Sequence, residues 1–427
     1  MSPIDDHPQR FALANELHAR PSPSLGVPCH AVYLALKPTV DAANRDRAQE
    51  RAHLIELLDR YGASHPQPDA THFEDRIGRY DLKWESHTEF VTFSAFGTGV
   101  KSRPFEAKEV EIFPSGWLAA SPGKRIAAIM VRVEPLPENP IEIVGKLNDW
   151  FVSESLACSW VLDQTAVIAG DFRIDAAGQM RFAVFVRPGT GERRVGRIVQ
   201  RLCEIETYRA MSMLGLGRAR DLSMRLNALD TKLSELVVGM QDEAQPAEDT
   251  LHALLSIASE LEILAVRHSF RFGATGAYET IVNQRIEALR ETRFEGRQTF
   301  AEFMTRRYDP AMRTVKSAER RLDQMAARAE RAGELLRTRV DVERSGQNQK
   351  LLASMDRRAD LALRLQHTVE GLSVVAVSYY AVNLAGYMLA PLAEAMHWPK
   401  PAVTAALVPV VLLAVWTMIR RIRQRMH

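Results

Sequence analysis

Two long apolar stretches close to the C-terminus constrain this 427-residue chain more than any other feature. The first spans Gly371 to Ala393 and the second Ala402 to Ile419, and neither carries a charge. As helices rising ~1.5 Å per residue, each reaches across a hydrocarbon layer of ~30 Å or nearly so. Only Glu394–Pro401 separates them, so the pair is predicted to form a hairpin with both ends on one side. The alternative is a buried hairpin of a soluble protein. It is disfavoured because apolar runs of this length with arginines just outside are rare in soluble cores.

The flanks set the expected orientation. Arg357, Arg358 and Arg364 precede the first stretch, and Arg420, Arg421, Arg423 and Arg425 follow the second. The short loop has only Glu394 and Lys400. Basic flanks stay in the cytoplasm, so both termini are expected there. Trp398 and Trp416 sit near opposite ends of the second stretch, where interfacial aromatics belong. The opening MSPIDDHPQR has early acids and no apolar core of signal-peptide length. Roughly the first 370 residues are therefore expected in the cytoplasm, enough chain for more than one domain. Cys29, Cys158 and Cys203 are few and far apart, which suggests reduced, buried thiols rather than a metal site. A net charge of +2 argues against a general nucleic-acid binder.

The first ~190 residues read as one α/β or α+β domain, a sheet covered by helices. Strand-like runs lie at Val27–Lys37, Gly78–Trp84, Phe90–Phe96, Ile126–Val133, Ala166–Ile174 and Met180–Val186. Turns at Glu85–Thr88 and Asp175–Gln179 suggest two hairpins. Helical patterns occupy Asp41–Tyr61 and Asn139–Ser155, the latter opened by Asn139-Pro140 as cap and first turn. Glu134–Pro140 is a Pro-rich connector. From about Glu192 the pattern is helical. One helix is expected over Arg193–Gly239, with Gly215 and Gly217 as a break, and Gln241–Asp249 as an acidic turn. Two more are expected over Thr250–Arg271 and Ala277–Phe303, split at Gly273–Gly276. Residues 191–309 thus form a helical subdomain, and Pro310 opens a long stalk helix over 310–370.

Two stripes mark that stalk. Val315, Leu322, Ala329 and Leu336 alternate with Ala318, Met325 and Ala332 at heptad spacing. They predict a coiled-coil-like contact with another helix, or an intramolecular hairpin on Thr250–Phe303. Gly346 to Lys350 interrupts the pattern and suggests a bend. Beyond it, Leu352, Ala359, Gln366, Ser373, Tyr380, Tyr387 and Glu394 recur every seven residues. Met355, Ala362, Val369, Ala376, Asn383 and Ala390 interleave three on. Outside the membrane this seam is small or apolar. Inside it, Ser373, Tyr380, Asn383, Tyr387 and Glu394 fall in an arc of roughly 80° at about 100° per residue. Polar groups in hydrocarbon must face protein or water, so several copies around a central axis are expected. Two readings stay open. The stripe lines a water-filled path with Glu394 as an acidic outer mouth, or Asn383 and the tyrosines are hydrogen-bonding glue that fixes an oligomer. A simple anchor, with Tyr387 as an interfacial aromatic, is the third.

Catalytic signatures are weak. Gly189-Thr190-Gly191 lacks the third glycine of a dinucleotide loop and reads as a turn. There is no His-Glu-x-x-His and no Gly-x-Ser-x-Gly. His65, His72 and His87 lie near Asp69, Glu74 and Asp75, but without ligand spacing, in what reads as a solvated loop. An enzyme is not expected.

The segment Phe11–Pro21 (FALANELHARP), with Pro23 and the two C-terminal apolar stretches, resembles a bacterial membrane-anchored family known as domain of unknown function 3422. The resemblance covers essentially the whole chain and implies no activity. Leu17-His18-Ala19-Arg20-Pro21 within it reads as a helix end or a basic docking patch. The architecture also resembles the CorA family of magnesium channels: a cytoplasmic α/β domain, a long stalk helix and two C-terminal membrane helices. Val374–Val377 and Leu384–Tyr387 resemble that family's first membrane helix. Its Gly-Met-Asn hallmark is absent; the nearest match is Gly386-Tyr387-Met388, and Asn383 lies earlier. The resemblance implies a homopentamer in a bacterial inner membrane, with a divalent cation as transported or regulatory ion, but not the hallmark's selectivity. The expectation is an oligomeric membrane protein, a CorA-like cation channel or transporter. The alternative is a membrane-anchored scaffold without transport.

Overall fold

A computed structural model describes residues 4–16, 21–39, 45–139, 141–240, 246–396 and 399–426. The chain forms two compact units. One combines Met1–Glu243 with His252–Ala332, the other Ala244–Leu251 with Gly333–His427.

The first unit opens with the short helix α1 (Arg10–Glu16), then strand β1 (Cys29–Lys37) and helix α2 (Arg47–Tyr61). Strands β2 (His72–Ile77), β3 (Tyr80–Ser86) and β4 (Val91–Thr98) form a meander. A single 3-10 turn (Ala107–Ile112) and α3 (Ser115–Ala119) lead to β5 (Lys124–Pro135). Then come α4 (Ile141–Trp150), β6 (Ala157–Val161), β7 (Ala166–Ile174) and β8 (Met180–Val186). Helix α5 covers Glu192–Gly239 and α6 Ala247–Glu287, followed by β9 (Thr292–Arg293), α7 (Phe300–Arg307) and α8 (Asp309–Ala395). Helix α9 (Lys400–Met426) ends the described chain.

The nine strands make one mixed sheet in the order β2-β3-β4-β1-β5-β8-β7-β6-β9. Only β5 and β8 pair in parallel; every other neighbour is antiparallel. Period-two alternation sorts the side chains. On β1, Val32, Leu34 and Leu36 join Leu54, Leu57 and Leu58 of α2 and Trp117 of α3 in one core. Toward the other end of the sheet, Ile143 and Leu147 of α4 pack with Val167, Ala169 and Phe185. The opposite face, carrying Ala31, Tyr33 and Ala35, belongs to α5, whose Val195, Ile198, Val199 and Leu202 are buried. A sheet covered by helices is what the sequence predicted; one of its faces is covered by α5, which lies beyond the expected first domain.

Several boundaries differ. Strands β2, β6 and β9 were not foreseen. The segment His72–Ile77, read as a solvated loop, is the edge strand paired with β3. Helix α5 does not break at Gly215 or Gly217. Gly215 is instead a close approach, since a Cβ there would lie 2.3 Å from Thr275 Oγ1. Helix α6 continues through Gly273 and Gly276, so the expected pair of helices is one. It stops at Glu287, and the rest of the expected Ala277–Phe303 helix is a loop, β9 and the start of α7. The Asn139 cap is in place: Asn139 Oδ1 accepts from Ile141 N at 3.1 Å. Pro140, Asp41–Asn44 and Gln241–Gln245 lie outside the described residues.

Helix α8 is continuous through Gly346–Lys350, without the expected bend. Within the first unit its stripe Val315, Ala318, Leu322, Met325, Ala329 and Ala332 is buried by the chain's own helices. Arg321 and Arg328 bind Asp230 of α5 at 3.0 and 3.2 Å, and Lys316 binds Glu279 of α6 at 2.7 Å. The partner is thus α5 as well as α6, not the Thr250–Phe303 stretch alone.

In the second unit, Leu336 and Val340 are buried and Arg344 pairs with Glu248 at 3.0 Å. From Leu351 to Val369, α8 is exposed along its whole circumference.

Candidate functional site

Helices α8 and α9 each contain a stretch long and apolar enough to cross a membrane. Their mutual orientation follows from burial. Ser378 is 4% exposed and Val415 of α9 is 7% exposed, whereas nearly every residue around them is open. Ala385 and Leu389 share a cleft with Ala402, Val403 and Ala406 of α9. At about 100° per residue, Ser378, Ala385 and Leu389 lie within roughly 40° of one another and define the α9-facing row. On the same wheel, Ser373, Tyr380, Asn383, Tyr387 and Glu394 centre roughly 180° away. The polar stripe therefore points directly away from α9, the other helix among the described residues long and apolar enough to cross a membrane. Tyr380 and Tyr387 are 72% and 79% exposed, and Ser373, Asn383 and Glu394 are exposed too. Asn383 Nδ2 donates to the Tyr379 carbonyl one turn back at 3.1 Å. The seam leading into it, Leu352, Met355, Ala359, Ala362, Gln366 and Val369, is exposed throughout. Ser378, a residue outside the predicted stripe, is the polar group that faces α9, and its Oγ is buried without a hydrogen bond. Within α9, Arg420 holds its guanidinium 5.1 Å from the Trp416 ring centre. Trp398 lies outside the described residues.

A second site lies in the first unit and was not anticipated. Between the sheet and α5 is a cavity of about 220 Å³. Its sheet wall is polar. Lys83 of β3 is paired across the ladder with Ser94 of β4, and Ser94 with Tyr33 of β1. These three side chains form a row on the α5-facing surface, where all three are buried. Lys83 Nζ lies 3.2 Å from Glu85 Oε1 and donates to the Pro21 carbonyl at 2.9 Å. The lysine and glutamate side chains are only 5% and 13% exposed. The helix wall carries Glu204, which pairs with Arg285 of α6 and accepts from Gln200 Nε2 at 2.7 Å. Gln200 Oε1 is buried without a partner. Thr207 Oγ1 lies 3.0 Å from the Tyr33 hydroxyl, and burial pushes that phenol well above its ordinary range. Ala31 and Phe96, paired across β1 and β4, give one end an apolar lining, and Val199 of α5 also lines the cavity.

Pro21 and Pro23 bring the N-terminal motif to this cavity. The Pro23 carbonyl packs so closely on α5 that a Cβ at Gly196 would lie 1.7 Å from it. Ser24 Oγ donates to Glu192 at 2.8 Å. Phe11–Glu16 of the motif falls in α1; Leu17–Arg20 lies outside the described residues.

The histidine cluster does not converge. His72, Glu74 and Asp75 sit on the edge strand β2, His65 pairs with Asp59 at 2.7 Å, and His87 stacks on Phe90. Among the described residues no group of three or more His, Cys, Asp or Glu side chains is placed to hold a metal. The three cysteines are free and buried; burial pushes Cys29 and Cys158 up to about 12, and Cys203 higher still. Gly189-Thr190-Gly191 is the expected turn before α5.

The fold and these two sites define a mixed α/β domain joined to a long helix and an apolar helical hairpin. The chain belongs to the family described as protein of unknown function (DUF3422), whose model matches residues 5–426. A search of curated proteins finds no match.

Proposed function

We propose that this protein is a homo-oligomer of the bacterial inner membrane, with both termini cytoplasmic and α8 innermost, that passes cations along the polar face of α8. One observation carries the reading: Ser373, Tyr380, Asn383, Tyr387 and Glu394 face directly away from α9. In hydrocarbon such a face is costly, so it needs water or another protein surface. The missing cover is a second copy of the same helix, because the exposed seam from Leu352 to Val369 continues the same heptad register. Glu394 closes the outer end with carboxylates, which favour cations. The layout resembles CorA channels, and the pentamer is carried by that resemblance alone. Without the Gly-Met-Asn hallmark, the selectivity of those channels is not carried over.

The scaffold reading has one observation in its favour. Asn383 already donates to Tyr379 O within its own helix, so its amide needs less from a neighbour. Flux separates the two. Purified protein in liposomes is tested with a divalent-cation dye, beside Asn383→Leu and Glu394→Ala. Channel function predicts uptake above empty liposomes and a several-fold fall in Glu394→Ala with the oligomer intact. Equal flux in all samples, or a monomer by native mass spectrometry, refutes conduction.

A further inference from the structure

The covered face of β3 carries a buried ion pair beside an enclosed space. Its other face presents Leu82 and Trp84 to the α2 core. The face under α5 presents Lys83 and Glu85, a lysine and a glutamate buried where an apolar pair would pack without desolvation cost. Buried charges that border an enclosed space are the sort of local violation that marks a binding site. The row Lys83–Ser94–Tyr33 adds that the polarity is organised across three strands.

The chemistry of the lining is balanced in sign. Lys83 pairs with Glu85 on the sheet wall and Arg285 with Glu204 on the helix wall, so no net field selects a simple anion or cation. Lys83 spends two of its three N–H donors on Pro21 O and Glu85. Gln200 Oε1 is an acceptor with no donor. One end is apolar. The cavity is smaller than the ~300–1,000 Å³ of drug-sized pockets, which suits a small metabolite. We infer that this cavity binds a small apolar α-amino acid. Its carboxylate lies toward Lys83 and Ser94, its ammonium toward Glu85 and Gln200 Oε1, and its side chain against Ala31, Phe96 and Val199. The site lies wholly within the first unit, and the inference requires neither oligomer nor conduction.

The test is titration calorimetry of L-leucine into the full-length protein in detergent, beside N-acetyl-L-leucine, L-leucinamide and inorganic phosphate. The expected result is saturable leucine binding at one site per chain, weakened at least tenfold by blocking either the ammonium or the carboxylate. Ser94→Val is expected to weaken leucine several-fold with an unchanged circular dichroism spectrum. Lys83→Met combined with Glu85→Leu removes both charges together and is expected to abolish binding. If that double variant does not fold, the analogue series on the unaltered protein decides. Absence of saturable binding by leucine, valine and methionine overturns the inference. So does binding of phosphate or N-acetyl-L-leucine as tight as leucine, or an unchanged leucine affinity in Ser94→Val.

Discussion

Two glycines a single residue apart on α5 should respond to the same substitution with opposite signs. Replacing a helix-interior glycine by alanine removes unfolded-chain freedom and stabilises by about 0.5–1 kcal/mol when nothing is in the way. Gly217 meets that condition, with no atom within 4 Å of a built Cβ. Gly215 does not. Its Cβ would lie 2.3 Å from Thr275 Oγ1, 3.0 Å from Cγ2 and 3.1 Å from Cβ. Rotating Thr275 relieves the first two contacts in turn but not the third, so α5 and α6 must separate by a few tenths of an ångström. Overpacking of this kind costs about 1–3 kcal/mol. Set against the helix gain, Gly215→Ala should lose roughly 1 kcal/mol, while Gly217→Ala gains nearly as much. Thermal unfolding of the purified protein, followed by circular dichroism at 222 nm, reads the difference. A change of 1 kcal/mol moves the midpoint by about 2–4 °C at 150–250 residues and by less in larger units. Adding Thr275→Ala to Gly215→Ala removes Oγ1 and Cγ2 but leaves the 3.1 Å contact with Cβ, so it should recover only part of the loss. If Gly215→Ala stabilises as much as Gly217→Ala, the close approach of the two helices is wrong.

Two further outcomes follow from burial and charge. Glu134 accepts from Arg132 Nε and Lys146 Nζ, both at 2.6 Å; burial alone would raise it, but these bonds outweigh burial and hold it below the usual carboxylate range. A depressed folded value means stability present above the unfolded pKa of about 4.3 and lost as pH falls through the folded value. Glu134→Gln should therefore lower the midpoint at pH 7, and the gap should close as pH is taken below 4; a gap independent of pH would refute the pairing. With its thiols buried and displaced toward 12 or above, the native protein should react with less than one equivalent of maleimide at pH 8, and with three after denaturation. Rapid labelling of native protein would contradict the placement of β1 and α5.

The sheet's central strands were legible because their patterns are local: alternating or continuous apolar runs bounded by turn residues. Strand β2 was not, because HFEDRI carries four titratable side chains and owes its strand state to the ladder with β3. Helix α6 hid behind Gly273 and Gly276; buried Phe272, Thr275 and Val282 hold the helix through both, overriding roughly 1 kcal/mol of propensity at each glycine. The polar stripe could be read from its spacing, but its direction relative to α9 could not, since that depends on which residues the hairpin buries. The cavity left no signal at all. Asp81, Lys83 and Glu85 alternate with Leu82 and Trp84 as any half-solvated strand does. Only the passage of α5 over that face, set by residues more than a hundred positions away, converts an ordinary charged face into a buried one.

Strand β2 has a consequence for how the molecule behaves in company. It lies at the margin of the sheet, so among the described residues one side of its backbone has no ladder partner. A flat apolar margin would be a template on which neighbouring molecules add strands. Here the margin bears Glu74, Asp75 and Arg76, and charged residues on an edge strand disfavour the addition of a further strand. The charges that suggest a metal site on paper thus serve as a guard against sheet-to-sheet growth.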